Sequence, residues 1–274
     1  MTIARDDRRG TVGKLDRRVA VVTGAGGGLG SAISRLFASQ GALVVCQDVL
    51  GDAAEATVKA IEAAGGPPAM AWACDVSDSA AIDAMFDSAT DRLGVVSVLV
   101  NNAGVATTPG DGSDERKAGN PLPSIALMSD EGWQRMIDIH LNGAFYASRA
   151  LVQRLVPTGG TGSIVCMSSI AGLAGWGPAH YSAGKGGLLG FVRSLARDLG
   201  PLGIRANAVC PGVIATPMTA VIPSAGLDDL RMLTPLGRLG EPADIAAATL
   251  YLCSDDASFV TGQALSPNGG IVMA

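Results

Sequence analysis

The stretch VTGAGGGLG (22–30) decides how the rest of the chain is read. It follows the apolar run RVAVVT (18–23) and leads into GSAISRLFASQG, which has helical spacing, so the glycines lie between a strand and the start of a helix. Glycine at such a turn lets backbone N–H groups come close to a phosphate, and the helix N-terminus adds a favourable field for it. The strict pattern G-x-G-x-x-G is missed: from Gly24 it needs glycine at Leu29, and from Gly26 at Ser31. Two relatives fit, T-G-x-x-x-G-x-G through Gly24, Gly28 and Gly30, and T-G-x-x-G-x-x-G through Gly24, Gly27 and Gly30. The loop by itself leaves both open.

Beyond this loop, short apolar runs alternate with helical patterns to the end of the chain. The strand runs are ALVVCQD (42–48), AMAWACD (69–75), VSVLVNN (96–102), SIVCMSS (163–169), IRANAVC (204–210) and GQALSP (262–267). They are nearly all-apolar rather than alternating, which marks strands covered on both faces, as in a parallel sheet between helices. The repeated strand–helix order predicts an α/β fold, a doubly wound Rossmann-type sheet of about seven strands. No linker-like shift in composition divides the chain, so 16–274 reads as one domain behind a charged, flexible extension (1–15). Two long segments, 105–129 and 211–240, follow strand ends and are expected to border a ligand crevice as loops.

Composition excludes several classes of function. Of 274 residues, 48% are hydrophobic and 16% charged, with a net charge of −5, so the chain is globular and has no nucleic-acid footprint. No uninterrupted apolar run is long enough for a membrane span, and the N-terminal segment lacks the apolar core of a signal peptide. The five cysteines lie far apart, and neither of the two histidines has a histidine partner one helical turn away, so no metal site is expected. Buried free thiols suit a reducing cytoplasm.

The second strand ends at Asp48, 18 residues after Gly30. A carboxylate there can accept hydrogen bonds from both adenosine ribose hydroxyls, and it repels a 2′-phosphate. No Lys or Arg occurs between Val19 and Ser34 or between Gly41 and Lys59 to welcome that phosphate. The expected cofactor is NAD rather than NADP. Downstream, YSAGK (181–185) places Tyr181 and Lys185 four apart on one helix face. A neighbouring ammonium is expected to lower the phenol's pKa, so that the tyrosine can take a proton from an alcohol.

With VTGAGGGLG, NNAG (101–104), SSIAG (168–172), YSAGK and PGVIATPM (211–218) in this order, the chain resembles the short-chain dehydrogenase/reductase family over about 16–274. The resemblance implies a cofactor site made by Gly24, Gly28, Leu29 and Gly30, by Asp48 and Val49, and by Asp75 and Val76 beside the adenine. Asn102, Ala103 and Gly104 would flank the ribose, and Pro211, Gly212, Ile214 and Thr216 the nicotinamide. It implies a catalytic set of Asn142, Ser169, Tyr181 and Lys185, with Asn142 holding a water against the lysine. The family's usual spacing of thirteen positions before the tyrosine would select Ser168, but the S-x-x-G register with Gly172 selects Ser169. Asn268 stands where the family has Asp, and 105–129 is longer than usual. The resemblance further implies a homotetramer, or a homodimer, built through helices near 130–156 and 180–200.

The expected activity is NAD-dependent interconversion of a secondary alcohol and a ketone, with a small-molecule substrate bordered by Trp176 and Met218. Two alternatives stay open, an NADPH-dependent ketoreductase such as a 3-oxoacyl-carrier-protein reductase, and a non-catalytic NAD-binding regulator. Near-matches to other motifs fail: His180 replaces the first glycine of G-x-S-x-G around Ser182, and Gly186 replaces the Ser/Thr of a phosphate loop after Lys185. His140 and His180 read as ordinary helix residues.

Overall fold

The structure, a computed structural model, describes residues 13–273. Seven parallel strands form one sheet in the order β3-β2-β1-β4-β5-β6-β7. They are β1 (Val19–Thr23), β2 (Leu43–Asp48), β3 (Ala69–Ala73), β4 (Val96–Asn101), β5 (Gly162–Met167), β6 (Ile204–Val209) and β7 (Ala264–Leu265).

Alternate side chains of each strand point to opposite faces, and both faces are apolar. Val19 and Val21 of β1 join Leu99, Ile164 and Cys166 on one face, packed against Met85 and Phe86 of α3 (Ser79–Leu93), Leu151 of α7 (Gly143–Leu155) and Leu188 of α9 (Ala179–Leu199). Ala20 and Val22 join Val98, Val100 and Val165 on the other face. There they meet Ile33 and Phe37 of α1 (Gly28–Ser39) and Ile245 and Leu252 of α11 (Pro242–Cys253). Burial on both sides is why the five inner strands carry no polar alternation; the edge strands β3 and β7 are partly or wholly exposed. The strand order reverses between β1 and β4, and a ligand crevice forms at the carboxyl ends of strands at such a point.

Three local features differ from the sequence expectations. The 105–129 segment is not a plain loop: it holds α4 (Ser113–Lys117) and α5 (Ser124–Leu127). Likewise 211–240 contains α10 (Ser224–Leu233). The boundary of the extension also moves. Residues 1–12 lie outside the described residues, but Leu15 is fully buried, its N–H donates to Gln40 O at 3.0 Å, and Lys14 pairs with Asp256. α2 (Gly51–Ala63), α6 (Asp130–Ile137) and α8 (Ile170–Ala174) complete the helices labelled here, and a π-helical turn, Asp138–Asn142, joins α6 to α7. Among the described residues no helix is long and apolar enough to cross a membrane.

The first helix starts so close to the end of β1 that side chains are excluded between them. A Cβ on Gly30 would lie 2.0 Å from Gly24 O and 2.8 Å from Asn102 Nδ2, whereas a Cβ on Gly27 would meet nothing within 4 Å. Gly30→Ala is therefore expected to cost about 2 kcal/mol or more, because backbone must move to admit the methyl group. Gly27→Ala, in extended backbone with open space, is expected to leave thermal stability almost unchanged. Equal melting temperatures for the two variants in thermal unfolding would contradict this packing.

Candidate active site

The crevice is a cleft of about 350 Å³ over the carboxyl ends of β1, β4, β5 and β6. At one end lies the glycine loop. Gly24 and Gly28 adopt φ of +63° and +49°, which favours glycine. A Cβ on Gly24 would also fall 2.9 Å from Ala103 Cα. The segment after β4 is tied to this loop by side-chain bonds. Asn102 Nδ2 donates to Thr23 O at 2.9 Å and Gly24 O at 3.1 Å. Thr23 Oγ1 accepts from the N–H groups of Asn102 and Ala103, both at 3.0 Å.

Asp48 ends β2 beside this loop and lines the cleft. One carboxylate oxygen accepts from Gly26 N at 2.8 Å and the other from Leu50 N at 3.0 Å. Among the described residues Lys185 is the only Lys or Arg lining the cleft, and it belongs to the opposite, chemical end.

That chemical end is built where β5, α8 and the first turn of α9 meet. The two serines after β5 have different surroundings. Ser168 Oγ is buried and donates to Lys185 O at 2.8 Å. Ser169 caps α8, accepting from Ala171 N at 3.1 Å, and its hydroxyl also lies beside the Tyr181 phenol. Tyr181 and Lys185, one helical turn apart on α9, both face the cleft. Lys185 Nζ donates to Met167 O at 2.7 Å and sits 5.7 Å from the centre of the Tyr181 ring. Burial pulls the Lys185 ammonium down to about 8, which leaves it mostly charged at neutral pH.

The phenol departs from the sequence expectation. Burial pushes the Tyr181 pKa up, and the Ser169 hydroxyl opposes this only in part.

The cleft gathers Gly24, Gly28, Leu29, Asp48, Asn102, Ala103, Gly104, Ser169, Tyr181, Lys185, Pro211, Gly212, Ile214 and Thr216. Five other expected residues do not line it. Gly30 is buried beneath the loop and Val49 is 63% exposed. Val76 packs under Gly143, and Asp75 is engaged by Arg135 and by the Ser77 N–H and hydroxyl. Asn142 Nδ2 donates instead to Asp138 at 2.7 Å. Positions two apart on a helix face away from each other, and the position that reaches the cleft from this turn is His140. From the sequence His140 reads only as a helix residue. The only available signal was the scarcity of histidine, two in the chain, both near the segments that build this site. Met218 also lines the cleft, whereas Trp176, 46% exposed, does not.

The chain is similar to known proteins over nearly its whole length. A family model described as enoyl-(acyl carrier protein) reductase matches residues 24–272. A (3R)-3-hydroxyacyl-CoA dehydrogenase of Mus musculus is 37% identical, over 95% of this chain and 98% of its own length. A meso-2,3-butanediol dehydrogenase of Serratia marcescens is also 37% identical, over 94% of this chain and 95% of its own. A crystal structure from Brucella melitensis, described as a short-chain dehydrogenase/reductase of the glucose/ribitol dehydrogenase type, superposes with a TM-score of 0.82. It is 34% identical, over 96% of this chain and 99% of its own.

Burying Lys185 has a thermodynamic cost. Its folded pKa of about 8 lies below the ordinary lysine value, so below that pH both states carry the proton and the full penalty of about 3 kcal/mol applies. As pH rises above about 8 the folded state releases its proton first and the penalty is relieved. Lys185→Met is therefore expected to raise the melting temperature near neutral pH while abolishing activity, with the gain shrinking at alkaline pH. A lower melting temperature in unfolding scans at neutral pH would contradict this.

Proposed function

The chain belongs to the short-chain dehydrogenase/reductase family and is an oxidoreductase of CH–OH groups, and on that premise we propose that it uses NAD and that Ser169, Tyr181 and Lys185 carry the chemistry on a secondary alcohol or its ketone. The observation that carries this reading is convergence: the glycine loop with Asp48 and the Ser169–Tyr181–Lys185 cluster open into one cleft.

The glycine loop, Asp48 and the 102–104 segment would hold a nicotinamide dinucleotide, whose chemistry is exchange of a hydride with the carbinol carbon. The residues fit that group. A Cβ on Gly28 would meet only Thr216, at 3.7 Å across the cleft, so the loop backbone is open to a ligand on that side, and helix α1 presents its N-terminus there. The Asp48 carboxylate favours ribose hydroxyls over a 2′-phosphate. The open space at Gly27 has no cation among the described residues to offset that repulsion.

Tyr181 acts as the base in oxidation and the acid in reduction. Its phenol takes the alcohol proton as the carbon becomes a carbonyl, and returns it in the reverse direction. Ser169 donates a hydrogen bond to the substrate oxygen, for which its place beside the phenol suits it. Ser168 is committed to Lys185 O. Lys185 contributes positive charge next to Tyr181 and favours the phenolate. Because burial raises the phenol's pKa, the oxidation rate should rise from mildly acidic to mildly alkaline pH.

The test is NADH formation with a panel of secondary alcohols that includes vicinal diols and 3-hydroxyacyl thioesters. Tyr181→Phe is expected to lower kcat by about 10²–10⁴-fold, and NAD to be preferred over NADP in initial rates. A folded Tyr181→Phe protein with undiminished kcat would remove the proposed base. A strong preference for NADP would overturn the role given to Asp48.

A further inference from the structure

The π-helical turn carries a histidine into the middle of the site. His140 is 2% exposed and sits between the segment after Gly104 and the first turns of α9. Glycine stands at both close approaches. A Cβ on Gly104 would fall 2.7 Å from His140 Cε1, and one on Gly184 would fall 3.2 Å from His140 Cβ. On one side Nε2 lies 3.1 Å from Val105 N and 3.0 Å from Val105 O, so either neutral tautomer finds a backbone partner. On the other the imidazole meets the Tyr181 ring nearly at right angles, with centres 5.4 Å apart.

Packing alone does not account for an imidazole here. His140 Nδ1 is buried without a hydrogen-bond partner among the described residues, as is Asn101 Oδ1, and both residues line one small cavity of about 10 Å³. A buried polar atom left in this condition costs about 1–3 kcal/mol, so an apolar side chain would give a more stable protein. Buried polar groups that lower stability gather at functional sites, where they are retained for what they do. The charged and titratable groups facing the ring, Tyr181, Lys185 and His180, all come from α9, and burial together with the Lys185 charge pulls the His140 pKa down to about 2. The ring is therefore neutral and adds no second cation beside Lys185.

We propose that His140 is a positioning residue for Tyr181: held by the Val105 backbone, its neutral ring fixes the orientation of the phenol against substrate and Lys185. The inference rests on the reading of Tyr181 as the acid/base. It assigns to the π-turn a role in the site that Asn142, turned toward Asp138, does not fill.

The experiment compares His140→Phe, His140→Leu and His140→Gln with the unaltered enzyme and with Tyr181→Phe, using whichever alcohol reduces NAD fastest. Phe keeps a ring but loses the bond to Val105, and Gln keeps polar groups able to reach that backbone. The expected result for Phe and Leu is a kcat lowered by about ten- to a hundredfold through misplacement of the phenol. Their pH–rate profile should shift, with dissociation constants for NADH unchanged and melting temperatures equal or higher. Gln should recover part of kcat and restore the profile. Folded Phe and Gln variants that both match the unaltered enzyme in kcat and pH profile would overturn the proposal. If they match it while Tyr181→Phe is inactive, only the role of His140 falls. If Tyr181→Phe is itself fully active, the reading of the site falls with it.

Discussion

The Asn102 side chain joins the ends of β1 and β4 by donating to both Thr23 O and Gly24 O, and the rest of the site is built around that junction. These two strands flank the point where the sheet order reverses, so their ends would otherwise diverge and leave backbone groups unpaired over the crevice. The amide satisfies two carbonyls, and the Thr23 hydroxyl returns the favour to two N–H groups. The contact leaves no room for side chains at Gly24 or Gly30. Close approach of helix α1, positive φ at Gly24 and exposure of the loop backbone are consequences of that one constraint.

The chemical end follows the opposite economy. Where the cofactor end is satisfied by many short backbone bonds, the far end stores unfavourable burial. Lys185 sits almost wholly out of water with one carbonyl partner, the Tyr181 phenol is pushed away from ionisation, and His140 keeps a nitrogen with no partner among the described residues. Each group would be more stable in water or replaced by an apolar side chain. Their conjunction at the floor of one cleft is how an acid/base site is tuned by its surroundings.

Much of this was legible in the sequence because its causes are local. Strands buried on both faces must be apolar throughout, and that property marks β1, β2, β4, β5 and β6, whereas the edge strands β3 and β7 are partly or wholly exposed. Strand ends were less legible, since GQALSP narrows to Ala264–Leu265. That Tyr181 and Lys185 share one helix face is readable from their spacing, whereas the roles expected of them and of Ser169 come only from the resemblance to a known family. Other features depend on contacts distant in sequence. Nothing local shows that Leu15 packs beneath Gln40, or that the polar 105–129 segment folds into two short helices. The exchange of Asn142 for His140 has the same origin: the chain there makes a π-turn, and the face presented to α9 is set by Gly104 and Gly184, far away along the chain.

Direct transfer of hydrogen between substrate carbon and nicotinamide is the claim on which all roles in the cleft converge. It is tested by incubating the enzyme with NAD and an active secondary alcohol deuterated at the carbinol carbon, followed by mass spectrometry of the reduced cofactor. The account predicts NADH carrying the deuterium and a ketone without it. Unlabelled NADH with deuterium released to water, or label retained on unreacted alcohol with no reduced cofactor, would contradict it.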